Sequence, residues 1–242
     1  MNKKKKSKYP LIWKKGNLFI EIFCSIPNIA TGILLRTDKT YFVVDPGDGI
    51  LRDLNRNLNP SEILEISDVF ITHGHHDHIG GLWSFLTYMT VMQREKPIDI
   101  FYPEGSLEIE SIIAALLQVY SRDIKFKINL RKIADEKSFS REGMKIKPFK
   151  VNHKEPDFES GKAVPVPSLG YKFLYEGKSI CYGGDTAFSD NLAKHAKDSD
   201  LAIIEAGAVD DSEMELHMTP EQAESIGESA KEYFLVHVPE KR

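Results

Sequence analysis

Cysteine is scarce in this chain of 242 residues: there are two, Cys24 and Cys181, both inside apolar runs. A disulfide framework needs more thiols and a secreted setting, so the pair reads as two buried free thiols of a cytoplasmic protein. No run of about 18 apolar residues occurs, which excludes a transmembrane helix. An excess of basic charge is also missing. Lys plus Arg number 32 against 36 Asp plus Glu, a net charge of −4, too acidic for a general nucleic-acid coat. The run Lys3 to Lys6 looks like the start of a signal peptide, but residues 7–15 supply no apolar core and no small-residue cleavage site. Residues 1–8 therefore read as a flexible, solvated basic tail and 9–242 as a single domain. Hydrophobic residues make up 41% and charged residues 28%, a globular balance that excludes wholesale disorder.

What is present is an alternation of short apolar runs with amphipathic ones. Strands are predicted at 18–24, 32–36, 41–44, 69–72, 98–102, 125–130, 144–151, 169–175, 179–182, 201–205 and 234–238. Helical spacing marks 50–58, 81–94, 107–120 and 191–197. Thr219-Pro220-Glu221-Gln222 opens a further helix, with Thr219 as cap, Pro220 in the first turn and Gln222 closing a capping box. Strands outnumber helices, and the helices are spread through both halves. That pattern implies sheets covered by helices in layers, an α/β (α+β) architecture.

One segment concentrates the chemistry: His73-Gly74-His75-His76-Asp77-His78, between a predicted strand and a predicted helix. Imidazole nitrogens and carboxylate oxygens are the donors that suit zinc and similar divalent ions. His73 and His75, one residue apart, can point the same way from an extended loop. Asp77 and His78 lie past the turn and can reach a second point, so one loop can serve two metals. His76 is expected to face away, and His195 to be exposed on a polar helix. Taken alone, His153 reads as a strand-end surface residue, Asp185 as a turn aspartate, His237 as a core or edge histidine and His217 as a surface histidine before a helix. Glu205, at a strand end, is a candidate acceptor for a ligating histidine.

The motif His73-x-His75-x-Asp77-His78 after a strand resembles the signature of the metallo-β-lactamase superfamily, and the ribonuclease Z branch in particular. Pro46-Gly47-Asp48-Gly49, Leu169-Gly170-Tyr171, Gly183-Gly184-Asp185-Thr186, Glu205-Ala206, His217-Met218-Thr219 and His237 follow in that branch's order. The resemblance implies a four-layer αββα sandwich with a dinuclear centre. One metal would take His73, His75 and His153; the other Asp77, His78 and His237; Asp185 would bridge them. Zinc is the default for such donors, and manganese or iron also fit. Ions roughly 3.5–4 Å apart can share a hydroxide nucleophile and clamp an in-line phosphoryl displacement. Asp77 and His217 are the implied catalytic residues, His217 contacting the scissile phosphate or the leaving group. A homodimer is a further expectation of the resemblance.

Two departures shape the expected substrate. Ribonuclease Z carries a long Gly/Pro-rich arm between its third metal histidine and its bridging aspartate. Here Asp185 follows His153 by 32 positions, and residues 154–168 form an acidic, Pro-containing loop. That is too short and too poor in Lys and Arg for the arm, which argues for a small phosphodiester or a short nucleic acid rather than transfer RNA. Only five residues follow His237, so part of the usual sandwich edge is expected to be absent or supplied by another subunit. The alternatives are a lactonase, thioesterase or other carboxylic ester hydrolase using the same centre, and a non-catalytic metal-binding scaffold.

Overall fold

A computed structural model describes residues 9–157, 159–209 and 213–239, so the basic tail of residues 1–8 lies outside the described residues. Seven strands form the first sheet in chain order: β1 (Leu11–Lys15), β2 (Leu18–Ile26), β3 (Ala30–Arg36), β4 (Tyr41–Val44), β5 (Ile66–Phe70), β6 (Ile98–Pro103) and β7 (Ile128–Ile133). The first four are antiparallel, and β4 to β7 run parallel. The second sheet has the order β15 (Tyr233–Val236), β14 (Leu201–Glu205), β13 (Lys178–Tyr182), β12 (Leu169–Tyr175), β9 (Met144–Lys150), β8 (Phe139–Arg141).

Alternation along the strands decides what each face packs against. In β4, Phe42 and Val44 point into the core between the sheets, where they join Phe70, Tyr171 and Phe173. Val43 points the other way, toward helices α1 (Ile50–Asn57), α4 (Leu82–Val91) and α5 (Leu107–Tyr120). Those helices answer with residues at helical spacing: Phe85 and Met89 from α4, Ile109, Ile113 and Leu116 from α5. On the outer face of the second sheet, Phe149, Ala202 and Ile204 pack against Leu192 and Ala196 of α6 (Asp190–Ala196) and Ala223 and Ile226 of α7 (Pro220–Gly227). Three cores between four layers give the αββα sandwich.

The predicted cap of α7 is present. Thr219 accepts from the Gln222 N–H at 3.3 Å, and the Gln222 side chain accepts from the Thr219 N–H at 3.1 Å. Three features differ from the sequence reading. Residues 11–15, not among the predicted strands, form an edge strand: Trp13 is buried and its indole donates to Glu232 at 3.1 Å. His195 is half-buried, its ring stacked on Phe149 at 4.3 Å and 7°. The 154–168 segment holds a small hairpin of β10 (Lys154–Pro156) and β11 (Ala163–Pro165). Two further short helices, α2 (Pro60–Leu64) and α3 (His76–Ile79), were not foreseen either.

Asp200 ties down the N-terminal strand. Its buried carboxylate accepts from Lys15 and Lys231, each at 3.1 Å, and from the Ser179 N–H at 2.9 Å. Burial pushes its pKa up, but these donors win and hold it at about 2. Because the folded pKa lies below the unfolded one, about 3.9, this stabilisation is present at neutral pH and is lost as pH falls from about 4 through about 2. Asp200→Asn should cost about 2 kcal/mol at pH 7. Urea titrations at pH 7 and pH 3 check it: the gap between variant and wild type narrows at the lower pH.

Candidate metal centre

The seven proposed ligands and Glu205 sit at the same end of the sandwich, at or just past the carboxyl end of a strand, while His217 lies in the connection between β14 and α7. His73 to His78 follow β5, His153 follows β9, Asp185 follows β13, Glu205 closes β14 and His237 follows β15. This is where parallel strands leave space between diverging loops. The seven proposed ligands fall into two groups, all buried except the half-buried His75. His73, His75 and His153 offer donor atoms within 4.8 Å of one another, and so do Asp77, His78, Asp185 and His237. The His73 and His78 rings lie 4.1 Å apart, so the two groups adjoin. Asp185 groups with the second set.

Within each group, donor atoms face each other rather than ordinary partners. His78 Nε2 and His237 Nε2 are 3.2 Å apart, as are His75 Nδ1 and His153 Nε2. Asp185 Oδ1 lies 3.0 Å from His237 Nε2 and 3.3 Å from His78 Nε2, yet it has no aligned hydrogen-bond donor. His73 Nε2 is buried with no hydrogen-bond partner among the described residues. Buried polar atoms without partners are rare and costly, and imidazole nitrogens this close repel whether both are bare or both protonated. Divalent cations would satisfy both, so the residues present fit a two-metal group.

The surroundings fix the orientation of these donors. Asp45, fully buried, accepts from the Thr72 N–H at 2.7 Å, the Thr72 hydroxyl at 2.8 Å and the Tyr182 hydroxyl at 2.8 Å. It also accepts from His78 Nδ1 at 2.9 Å, which leaves His78 Nε2 as the inward lone pair. Asp77 accepts from the Asn28 N–H at 3.1 Å. His75 contacts Glu155 of the hairpin at 3.0 Å through Nε2, so its Nδ1 faces the other histidines. Two of these residues hold left-handed backbone, Asp45 at φ 47 and His237 at φ 57. Non-glycine residues rarely adopt it, and such strain collects at functional sites. The His237 N–H is held by the Ser25 hydroxyl at 3.0 Å. Gly47 is required here: a Cβ would collide with the backbone of Thr31 and Asp77.

Charge follows from the packing. Burial, reinforced by the neighbouring histidines, pushes His73 far below its usual pKa, and burial takes His153 to about 4. Both present neutral imidazoles. Burial also acts downward on His237, but the Asp185 and Asp77 carboxylates outweigh it and lift the group to about 9.

His217 stands at the mouth, its ring 5.9 Å from that of His153 and 6.4 Å from that of His237. Its Nδ1 lies 3.3 Å from Glu205 Oε1. Burial lowers its pKa, and Glu205 more than reverses this, so the net shift of His217 is upward. Glu205 thus serves His217, not a ligating histidine as the sequence reading expected; it also accepts from Thr186, Gly207 and Met218 N–H groups. His76 is exposed, as expected. Sequence reasoning missed Asp45, whose Asp-Pro-Gly setting reads only as a turn, and Glu155, which lies in a segment read as loop.

A fold of this layering with paired His/Asp donor sets at its strand ends defines a metal-dependent hydrolase. The chain belongs to the β-lactamase superfamily, whose domain model, described as "Beta-lactamase superfamily domain", matches residues 40–238. Ribonuclease Z of Methanothermobacter thermautotrophicus is 25% identical over 252 aligned positions, covering 86% of this chain and 80% of that one. Among solved structures, the metallo-β-lactamase fold protein YhfI of Bacillus subtilis matches with TM-score 0.75 at 18% identity, covering 94% of this chain and 88% of that one. The short form of human tRNase Z matches with TM-score 0.72 at 23% identity, covering 91% and 92%. The two structural likenesses establish the fold. No helix among the described residues is long and apolar enough to cross a membrane.

Proposed function

We propose that this chain is a two-metal phosphodiesterase acting on small phosphodiesters or short nucleic acids. The observation that carries the reading is the position of His217, its Nδ1 3.3 Å from Glu205 Oε1 and its ring 5.9 and 6.4 Å from those of His153 and His237, beside both donor groups. The ribonuclease Z relative, similar over most of both chains, supports it. In this reading His73, His75 and His153 hold one cation, Asp77, His78 and His237 the other, and Asp185 both. Zinc suits the donor set best. The chemistry supplied by two bound divalent cations is Lewis acidity toward phosphoryl oxygens and a lowered pKa for water. His217 donates a proton to the departing oxygen, and Glu205 favours the protonated imidazole and holds its orientation. The free thiols of Cys24 and Cys181 support a reducing, cytoplasmic setting.

The test uses two diesters of different leaving group. Metal-loaded protein should hydrolyse both bis(p-nitrophenyl) phosphate and a dinucleotide. His217→Ala should slow the dinucleotide about 10²- to 10⁴-fold. It should slow the nitrophenyl ester far less, because nitrophenolate departs without a proton. Turnover of lactones or thioesters but of neither diester would instead establish the carboxylic ester reading.

A further inference from the structure

Beside the first donor group lies an open cavity of about 420 Å³, lined by His153, Asn152, Val166, Phe188, Met214 and Glu215 among others. We propose that this cavity is a nucleobase subsite with Phe188 as its stacking platform, so that the substrates are mononucleotide-sized phosphodiesters. The inference rests on the phosphodiesterase reading.

Phe188 is the observation that demands an explanation. It follows Asp185 by three residues, yet its ring is 42% exposed on a chain that otherwise buries most of its phenylalanines. Its backbone is not loose. The Asn152 side-chain amide donates to the Phe188 carbonyl at 3.0 Å, and the Ala187 N–H donates to the Asn152 carbonyl at 2.9 Å. The Asn152 N–H in turn donates to the Thr186 hydroxyl at 2.9 Å. The backbone that carries this aromatic side chain is thereby fixed, and Phe188 lines a cavity that reaches His153, a proposed metal ligand.

The rest of the cavity suits a base. Val166 and Met214 give apolar wall, and the Lys154–Glu215 pair at 3.3 Å gives a polar rim. Its volume lies at the small end of the usual range for ligand pockets, about 300–1,000 Å³, which suits one nucleoside. The hairpin beside it carries Glu155 and Asp157 and only Lys154 and Lys162 as cations. Such a rim lacks the continuous basic track that long nucleic acids need, so a single base is held by stacking rather than a strand by its phosphates.

The test compares adenosine 5′-monophosphate with ribose 5-phosphate, which share a phosphate and a sugar and differ in the base. Calorimetric titration of the metal-loaded protein should give an adenosine monophosphate Kd about tenfold below that of ribose 5-phosphate. Phe188→Ala should bring the two constants together, and Phe188→Trp should keep them apart. Equal constants in the wild type, a preference that survives Phe188→Ala, or no binding of either ligand would overturn the subsite. Bis(p-nitrophenyl) phosphate turnover on the same sample separates the two claims. Turnover without base preference sinks the subsite alone, whereas base preference without turnover upholds the subsite and sinks the phosphodiesterase.

Discussion

Asp185→Ala is expected to lower kcat/KM for diester hydrolysis by about 10³-fold or more and to reduce bound metal from two ions per chain to one. The carboxylate lies within 3.3 Å of both His78 Nε2 and His237 Nε2, is buried, and has an oxygen that no protein donor satisfies. Alanine removes one of the two carboxylates in contact with both imidazoles; the other, Asp77, lies 3.5 Å from His78 Nε2 and 3.2 Å from His237 Nε2. Without it, two imidazole nitrogens 3.2 Å apart must hold a cation with Asp77 as the sole carboxylate. The residue lies past the end of β13 in a loop, and Gly184 beside it already takes the left-handed backbone that the turn demands. The fold should therefore survive, and circular dichroism of the variant should match the wild type. Metal content and diesterase rate measured together check the prediction. An alanine variant that keeps two ions and its activity would remove Asp185 from the centre.

Asp45→Ala should act through the fold as well as through the metals. Four donors converge on this one buried carboxylate: the Thr72 amide and hydroxyl, the Tyr182 hydroxyl and His78 Nδ1. Tyr182 belongs to the second sheet and Thr72 follows a strand of the first, so Asp45 joins the two sheets at the site. Truncation strands all four donors without water, at about 1–3 kcal/mol for each unsatisfied group. A total loss of at least about 4 kcal/mol is expected, a large share of the stability of a typical domain. Asp45→Asn separates the two roles. Asparagine tolerates left-handed backbone and keeps the shape, but it is uncharged and accepts through one oxygen. It should fold, with metal affinity about ten- to a hundredfold weaker because His78 loses its anionic partner. Chemical denaturation and metal titration of the two variants check both effects.

The layered architecture was legible because it rests on local periodicity. β4 alternates Phe42 and Val44 inward with Val43 outward, and α5 repeats its apolar face at Ile109, Ile113 and Leu116. The capping box of Thr219 and Gln222 is likewise a matter of four adjacent residues. The seven donors were named in advance and do converge, because the motif at His73 and the later matched segments mark strand ends. Other features depend on distant partners. Leu11 to Lys15 is a short run of three apolar residues ending in two lysines, with no period-2 alternation, and becomes a strand by pairing with β2 and burying Trp13. Asp45 looks like a turn residue until Tyr182, 137 positions away, donates to it. His195 sits on a polar stretch of helix, and only the tertiary fold brings it onto Phe149. Glu155 meets His75 across 80 positions, a contact no local pattern encodes.

The measurement that decides the matter is a zinc titration of metal-free protein, following bound metal and bis(p-nitrophenyl) phosphate hydrolysis on the same sample. Hydrolysis that rises to a plateau at two equivalents per chain is the expected result. Saturation at one equivalent or fewer, or two bound ions with no diester turnover, would contradict a two-metal phosphodiesterase.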